Sequence, residues 1–184
     1  MEAKRFCFYC GEKLTSKSFQ EKNYRYCQTC DRIHYENPFP AVAALVPNQD
    51  GQLLLVKRAV EPAKGTWCLP GGFIEIDESI EEAVLRELNE ETGIEGKIGT
   101  LVDFFSQRSP LYGALLIFGY RVTMLGGKLQ AGDDAEEARF FDLDDLPPIA
   151  FLSHQRLIEK EFGNLRHKTA KKTKEDYTIK KCLK

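Results

Sequence analysis

The chain has 184 residues, 42% of them hydrophobic and 29% charged, a balance typical of one globular domain with room for a small appendage. No apolar run approaches the roughly 18 residues of a membrane span, and no signal-peptide core follows the charged start. We therefore expect no membrane partner and a cytoplasmic location. The net charge of -2 is uneven, because residues 163–184 hold eight Lys and Arg side chains against two acids.

The chain opens with two CxxC pairs, which are Cys7 with Cys10 and Cys27 with Cys30. This spacing is typical of a tetrahedral zinc site with four thiolate ligands. Two disulfides or a dithiol redox centre are the alternatives, but reduced cytoplasm disfavours the first and duplicated pairs disfavour the second. His34 is a competing ligand that four cysteines make unnecessary. We predict that residues 1–36 form a zinc ribbon with one structural Zn²⁺. Four of its basic residues are balanced by Glu12, Glu21, Asp31 and Glu36, and no basic face is evident; the four are Lys13, Lys17, Arg25 and Arg32.

The second predicted domain covers residues 37–163, after Pro38 and Pro40 force extended chain. Short apolar runs at Ala41–Val46 and Leu53–Val56 flank a turn signal and predict a β-hairpin. Arg58 follows the second run and is either a solvated charge at a strand end or a contact for substrate phosphates.

A glycine-rich segment, Lys64–Gly72, comes next. Its glycines permit close backbone approaches that side chains would block, as a loop around a metal and a diphosphate requires. Trp67 within it is a candidate to stack on a base, and packing in the core is the alternative.

One amphipathic helix is predicted over residues 80–92. Ser79 and Glu82 form a capping box, and Gly93 is a natural stop. The apolar stripe that starts at Ile80 continues onto Glu87 and Glu91, two like charges with no Lys or Arg four residues away. A solvated acidic face is one interpretation. A bound Mg²⁺ or Mn²⁺ is the other, because all-oxygen ligation suits these ions and keeps clustered carboxylates ionised.

Further strand-like segments lie at Gly99–Gln107, Leu115–Met124 and Ala138–Phe141, and a closing helix is predicted near Ser153–Phe162. Together these elements predict an α+β fold with a mixed sheet covered on its faces. The basic tail, residues 164–184, is either a solvated terminus or a weak attraction for nucleic acid.

The segment from Gly72 to Ile94 resembles the Nudix box in its spacing of Gly, Glu, Arg-Glu-Leu, Glu-Glu and Gly-Ile. The resemblance implies an α/β/α sandwich and a Mg²⁺-dependent hydrolase of nucleoside diphosphates linked to another moiety. It also implies that Glu78 and Arg86 form a structural ion pair that braces the loop. The expected metal ligands are Glu87, Glu90, Glu91 and the carbonyl of Gly71.

In Nudix enzymes a glutamate outside the box often joins the metal site, and Glu137 is the best match here, with Glu136 in reserve. Glu90 or Glu137 would then accept the proton of the attacking water. The residues expected to contact substrate are Arg58, Trp67 and Phe73.

A zinc ribbon before a Nudix domain is similar to the NADH pyrophosphatases, but the segment after the box, FSQRSPLY, departs from their SQPWPFPxS signature. ADP-ribose, NADH and FAD therefore stay open as substrates. The alternatives are an enzyme that processes RNA 5′ ends and a Nudix module that senses a nucleotide without cleaving it. The resemblance also suggests a homodimer.

Overall fold

A computed structural model describes residues 4–163 of the chain. The N-terminal part contains a three-stranded antiparallel sheet in the order β1-β2-β3, built from β1 (Thr15–Phe19), β2 (Lys22–Cys27) and β3 (Arg32–His34). Its small apolar core consists of Cys7, Leu14 and Cys27, with Cys30 packed against it. The predicted basic tail lies outside the described residues.

Two further three-stranded sheets and two helices make up the rest. The first sheet has the order β4-β8-β7, with β4 (Phe39–Leu45) parallel to β8 (Gly113–Gly127) and β7 (Ile94–Ser109) antiparallel to β8. The second is antiparallel in the order β6-β5-β9, from β5 (Leu53–Arg58), β6 (Trp67–Cys68) and β9 (Ala135–Phe141). The helices are α1 (Ile80–Thr92) and α2 (Leu152–Phe162).

The strand β4 shows why the fold is a sandwich. Val42 and Ala44 pack in one core cluster with Val84 and Leu88 of α1, whereas Ala43 lies in a second cluster that also contains Leu157 and Ile158 of α2. Alternate residues of a strand point to opposite faces, so each face of this strand is covered by a different helix. The predicted α+β sandwich with a mixed sheet is confirmed.

The predicted hairpin between Ala41–Val46 and Leu53–Val56 is present only next to its turn, where Pro47 and Leu53 form an antiparallel bridge and Leu54 N–H donates to the Val46 carbonyl at 3.0 Å. The turn between them forms, because the Asn48 side chain accepts hydrogen bonds from the backbone N–H groups of Asp50 and Gln52. However, β4 pairs with β8, while β5 pairs with β6 and β9, so the chain passes from one sheet to the other. Both strands are apolar on both faces, and such a pattern does not say which strands are neighbours.

Other boundaries also differ from the prediction, and the strand expected at Leu115–Met124 spans Gly113–Gly127. The strand expected at Gly99–Gln107 is the middle of a 16-residue strand, and α2 starts one residue before Ser153. The last strand begins at Ala135, so Glu136 and Glu137 lie on a strand and not in a loop. Among residues 4–163, no helix has the length and apolar character needed to cross a membrane.

Candidate active site

The helix α1 begins and ends where the sequence predicts. The Ser79 hydroxyl accepts a hydrogen bond from Glu82 N–H at 3.2 Å, and a Glu82 carboxylate oxygen accepts one from Ser79 N–H at 2.8 Å. Gly93 ends the helix in the left-handed region at φ 68°, which glycine adopts without steric cost. These caps fix which glutamates face residues 69–72, which we call the glycine loop.

The glycine loop runs beside β4. Val42 N–H donates to the Gly72 carbonyl at 2.9 Å, and Ala44 N–H donates to the Pro70 carbonyl at 2.8 Å. A Cβ at position 71 would lie 2.1 Å from the Val42 carbonyl oxygen, and one at position 72 would lie 2.4 Å from a Glu87 carboxylate oxygen. Glycine at position 71 therefore lets this backbone approach the sheet, and glycine at position 72 leaves room for the Glu87 carboxylate in its present place.

Glu91 is the most deeply buried carboxylate of the site, with 4% of its surface exposed. Its Oε2 accepts a hydrogen bond from Gly71 N–H at 2.9 Å. Burial raises the pKa of Glu91 to about 8, and the negative charge of Glu87 adds to this effect. The positive charge of Arg58 and the hydrogen bond from Gly71 N–H act against this rise and offset only part of it.

Glu87 and Glu90 share one guanidinium. Arg86 Nη1 donates to an oxygen of each carboxylate, at 2.9 Å in both cases. The sequence has no Lys or Arg four residues from Glu87, and Arg86 reaches this carboxylate from the adjacent position instead. Burial nevertheless raises the pKa of Glu87 above its ordinary value.

Arg86 also joins the helix to the loop before it. Its Nε and Nη2 donate to the two oxygens of Glu78 at 2.9 and 2.6 Å, and Nη2 donates to the Phe73 carbonyl at 3.0 Å. These hydrogen bonds to the guanidinium lower the pKa of Glu78 to about 2. Arg86 thus holds the Glu78 loop, the Phe73 backbone and two helix carboxylates in one arrangement.

The carboxylates of α1 fit a Mg²⁺ or Mn²⁺ ion in their chemistry. The donors are carboxylate oxygens, which these ions prefer, and two of them carry pKa values raised by burial that a cation would reverse. Their oxygens are spread more widely than those of a closed site. Among residues 4–163, the four cysteine sulfurs are the one group of three or more ligand atoms within 4.8 Å of one another.

Glu137, expected near the metal, lies in an ion pair. Its Oε1 is 2.8 Å from Lys57 Nζ, and its Oε2 is 3.4 Å from Arg139 Nη2. The hydrogen bond from Lys57 lowers the pKa of Glu137. Glu136 lies 3.6 Å from the same lysine.

The charges of two other acids of the same segment act on the helix carboxylates. The negative charge of Asp133 contributes to the raised pKa of Glu87, and that of Asp134 contributes to the raised pKa of Glu91. The Gly132 N–H donates to the Glu91 carbonyl at 3.2 Å, which attaches this segment to the end of α1. The run of acids at residues 133–137 indicated a candidate segment in the sequence, but the sequence did not indicate which of these acids act on the helix carboxylates.

The three expected substrate contacts differ in their surroundings. Arg58 donates to the Pro62 carbonyl at 2.7 Å and stands over the Phe151 ring at 5.3 Å. Trp67 is half-buried, with its ring 4.7 Å from that of Phe141 in an edge-on contact, as the core-packing alternative predicts. Phe73 is partly exposed.

Phe73 belongs to a cluster of three aromatic rings that sequence reasoning missed. Its ring centroid lies 6.1 Å from that of Phe39 and 5.0 Å from that of Tyr112. These residues come from three distant parts of the chain, so the sequence carries no local signal that joins them. The cluster adjoins the glycine loop, because Phe73 directly follows Gly72.

His154 is a second residue that sequence reasoning missed. It is buried in the first turn of α2, and its Nδ1 accepts a hydrogen bond from Leu69 N–H at 3.0 Å. Burial lowers the pKa of His154 to about 3, so the ring is neutral at ordinary pH. The sequence shows only a lone histidine on an amphipathic helix. It does not indicate that this histidine holds Leu69, which lies two residues before Gly71.

The four N-terminal cysteines come together as predicted by their spacing. The sulfurs of Cys7 and Cys30 are 4.0 Å apart, and those of Cys10 and Cys27 are 3.6 Å apart. Four ligands at a Zn–S distance of about 2.3 Å form a tetrahedron with edges of about 3.8 Å. The cluster is therefore compatible with a zinc ion, and His34 is not part of it.

A family model described as the NUDIX domain matches residues 37–161. The chain belongs to the NUDIX family. This membership confirms the prediction of a Nudix hydrolase that acts on diphosphate bonds. The matched range starts after the cysteine-containing sheet, so it does not bear on the ribbon.

Known relatives and solved structures resemble this NUDIX chain over most of its length. An ADP-ribose pyrophosphatase from Methanocaldococcus jannaschii is 43% identical over 127 residues, which are 68% of this chain and 73% of that protein. A NAD-capped RNA hydrolase NudC from Chromobacterium violaceum is 32% identical over 165 residues, which are 88% of this chain and 60% of that protein. A crystal structure of a NUDIX hydrolase from Nitrosomonas europaea has a TM-score of 0.75 at 28% identity and covers 86% of this chain and 91% of its own.

Proposed function

We propose that this chain uses Mg²⁺ or Mn²⁺ to hydrolyse a nucleoside diphosphate linked to another moiety, with ADP-ribose as the first candidate. The products would be a nucleoside monophosphate and a phosphorylated remainder. The observation that carries the proposal is the edge of α1, where buried Glu91 is held by Gly71 N–H and lies near Glu87. The likeness to an ADP-ribose pyrophosphatase at 43% identity supports the choice of substrate.

The residues that would hold the ion are Glu87, Glu90, Glu91 and the Gly71 carbonyl. When bound, a divalent cation neutralises diphosphate oxygens and lowers the pKa of a water molecule. Gly71 N–H keeps the Glu91 carboxylate oriented toward the loop, and Arg86 sets the spacing of Glu87 and Glu90. This arrangement fixes the donors in advance, which limits the reorganisation that the reaction requires.

Glu90 is the better candidate for the residue that accepts the proton of the attacking water. Its carboxylate is about half exposed, with a side-chain exposure of 46%, and accepts from one Arg86 nitrogen. Glu137 is already paired with Lys57 and Arg139, and the hydrogen bond from Lys57 lowers its pKa. A carboxylate with a lowered pKa is a weaker base. We therefore assign the proton transfer to Glu90.

The partly exposed rings of Phe73, Phe39 and Tyr112 would receive the base of the substrate by stacking. Arg58 would contact a phosphate, since its positive charge is close enough to Glu91 to act against the rise in that pKa. Trp67 packs edge-on against Phe141, so it would contact substrate only through the part of its ring that stays exposed.

We also propose that Cys7, Cys10, Cys27 and Cys30 bind one structural Zn²⁺. The sulfur separations of 3.6 and 4.0 Å support this ion. Four thiolates leave no open ligand position for water, so the ion would stabilise the ribbon and take no part in hydrolysis. Thiolate ligands persist where thiols stay reduced, which supports a cytoplasmic location.

Turnover of a substrate panel tests the proposed activity. ADP-ribose, NADH, NAD, FAD and nucleoside triphosphates would be compared in Mg²⁺ and in Mn²⁺, with phosphatase present to release phosphate from the products. We expect the highest kcat/KM for ADP-ribose or another member of the linked-diphosphate group. Inactivity toward every compound would favour the alternative of a nucleotide-sensing module.

The likeness to a NAD-capped RNA hydrolase favours a second candidate, the processing of RNA 5′ ends. The matched region spans 60% of that relative, so the comparison covers only part of that protein. A NAD-capped oligoribonucleotide added to the panel distinguishes the two functions. A kcat/KM for this RNA well above that for ADP-ribose would replace the first candidate with the second.

A further inference from the structure

One face of the ribbon sheet contains a row of polar side chains. Ser16 of β1 pairs directly with Arg25 of β2, and Arg25 pairs directly with His34 of β3. Directly opposed residues on neighbouring strands share a face of the sheet. These three residues, with Asn23, Tyr24 and Glu36, line a cavity of about 400 Å³, which is within the size range of small-ligand sites.

His34 gives the first sign that this cavity accepts a ligand. Its side chain is only 6% exposed, and its Nε2 is buried with no hydrogen-bond partner among residues 4–163. An unsatisfied buried polar atom costs a fold about 1–3 kcal/mol. A ligand with a hydrogen-bonding group in the cavity would remove this penalty.

Exposed aromatic rings stand next to the same histidine. Phe8 and Tyr9 are 76% and 56% exposed, and their ring centroids lie 5.9 and 6.1 Å from that of His34. The guanidinium of Arg32 lies 4.6 Å from the centre of the Tyr9 ring. Exposed rings interleaved with cations are typical of surfaces that stack the bases of single-stranded nucleic acid.

The charge of the ribbon points to the same class of ligand. Residues 4–36 contain seven Lys and Arg side chains and four acids, whereas residues 37–163 contain eleven and twenty-one. Four thiolates around one zinc ion would subtract two charges and leave the ribbon positive. A polyanion is therefore repelled by the acidic domain and attracted to the ribbon.

We propose that this ribbon face binds single-stranded nucleic acid, with one nucleotide in the cavity. The base edge would contact His34 Nε2 and the Asn23 amide, and Glu36 would accept from a base amino group. Arg25 would bind the phosphate, and the next base would stack on Phe8 or Tyr9. The ribbon therefore has a basic, aromatic face. Counting its charges along the sequence does not reveal this face. This inference does not rest on the proposed hydrolase activity.

The test is fluorescence anisotropy of a labelled ten-nucleotide RNA with a 5′ hydroxyl group, bound by the full zinc-loaded chain. Arg25→Gln and Phe8→Ala each remove one proposed contact. Lys22→Gln is the matched control, since Lys22 is also on β2 and loses the same charge, but faces the opposite side of the sheet. Zinc content of each variant checks that the ribbon is folded.

We expect Arg25→Gln to weaken binding about tenfold and to reduce the slope of log K against log salt by about 0.7, as loss of one phosphate contact requires. Phe8→Ala should weaken binding about tenfold through lost stacking, and Lys22→Gln should stay within about twofold of wild type. Equal affinity for all four proteins, or no saturable binding by wild type, would overturn the proposal and favour a protein partner.

Hydrolysis of ADP-ribose by the same preparations separates the two proposals. The substitutions lie in residues 4–36 and should leave the kcat of ADP-ribose hydrolysis unchanged. Inactive wild type that still binds the RNA through Arg25 and Phe8 would contradict the proposed activity and support the ribbon site.

Discussion

At the scale of single residues, Glu91 contacts the glycine loop at a cost to the stability of the metal-free protein. Its pKa of about 8, raised by burial, lies well above the ordinary value of 4.5. A carboxylate with a raised pKa in the folded state favours folding below its unfolded pKa, and that contribution is lost as the pH rises through the folded value. A divalent cation at the site would offset this loss.

His154 has the opposite pH dependence. Burial lowers its pKa from 6.5 to about 3, so the unfolded state binds the proton more tightly. The contribution of His154 to the free energy of unfolding is fully present above pH 6.5 and falls as the pH drops toward 3. Between pH 7 and pH 5 this single group should remove about 2 kcal/mol from the free energy of unfolding.

Urea unfolding of wild type and His154→Asn at pH 7 and pH 5 measures this effect. The asparagine amide oxygen stands where Nδ1 was and can still accept from Leu69 N–H, but it cannot titrate. We expect the variant to lose about 2 kcal/mol less than wild type on acidification. The same loss in both proteins would show that His154 is not the buried neutral group described above.

At the scale of elements, α1 depends on its N-terminal cap because the helix must present its carboxylates in one register. Ser79→Ala removes the acceptor of Glu82 N–H and should lower the free energy of unfolding by about 1 kcal/mol. Ser153→Ala, in the first turn of α2, is a comparison that removes a hydroxyl without a capping role. A change in Ser79→Ala no larger than in Ser153→Ala would contradict the capping assignment.

The bounds of α1 were predictable because its caps and its periodicity are local signals. The neighbours of β4 and β5 were not, since both strands are uniformly apolar and their pairing depends on residues far along the chain. The roles of the acids at residues 133–137 were not predictable for the same reason, because they depend on contacts with distant parts of the chain. The run of acids predicted Glu137 for the site, but the structure attaches Gly132 to the end of α1, and the charges of Asp133 and Asp134 act on Glu87 and Glu91.

At the scale of the whole molecule, the ribbon has a small core of its own. Its buried residues Cys7, Leu14 and Cys27 form a cluster separate from the three clusters of the sandwich. A core of this size cannot hold 33 described residues together without a further crosslink. The spacing of the cysteines made a metal crosslink predictable from the sequence. The ligand-sized cavity beside His34 was not predictable, because it depends on how three strands align.

Zinc removal should therefore unfold the ribbon and spare the sandwich. We expect one zinc per chain by elemental analysis, and none in Cys7→Ser. Cys68→Ala is the matched control, because this buried thiol lies in the NUDIX domain and outside the cysteine cluster. Hydrolysis of ADP-ribose should persist in Cys7→Ser. Full zinc in that variant, or zinc lost from Cys68→Ala, would contradict the four-thiolate site.

The most direct measurement of the proposed mechanism is the rate of AMP release from ADP-ribose in Mg²⁺ by wild type, Glu91→Gln and Glu95→Gln. Glutamine at position 91 keeps the acceptor for Gly71 N–H and removes the charge, whereas Glu95 is an exposed glutamate just after α1. We predict that Glu91→Gln melts at or above the wild-type temperature and that its kcat falls about 10³-fold, equivalent to about 4 kcal/mol of lost charge stabilisation. Glu95→Gln should match wild type. A near-normal kcat for Glu91→Gln would contradict the assignment of the α1 carboxylates to catalysis.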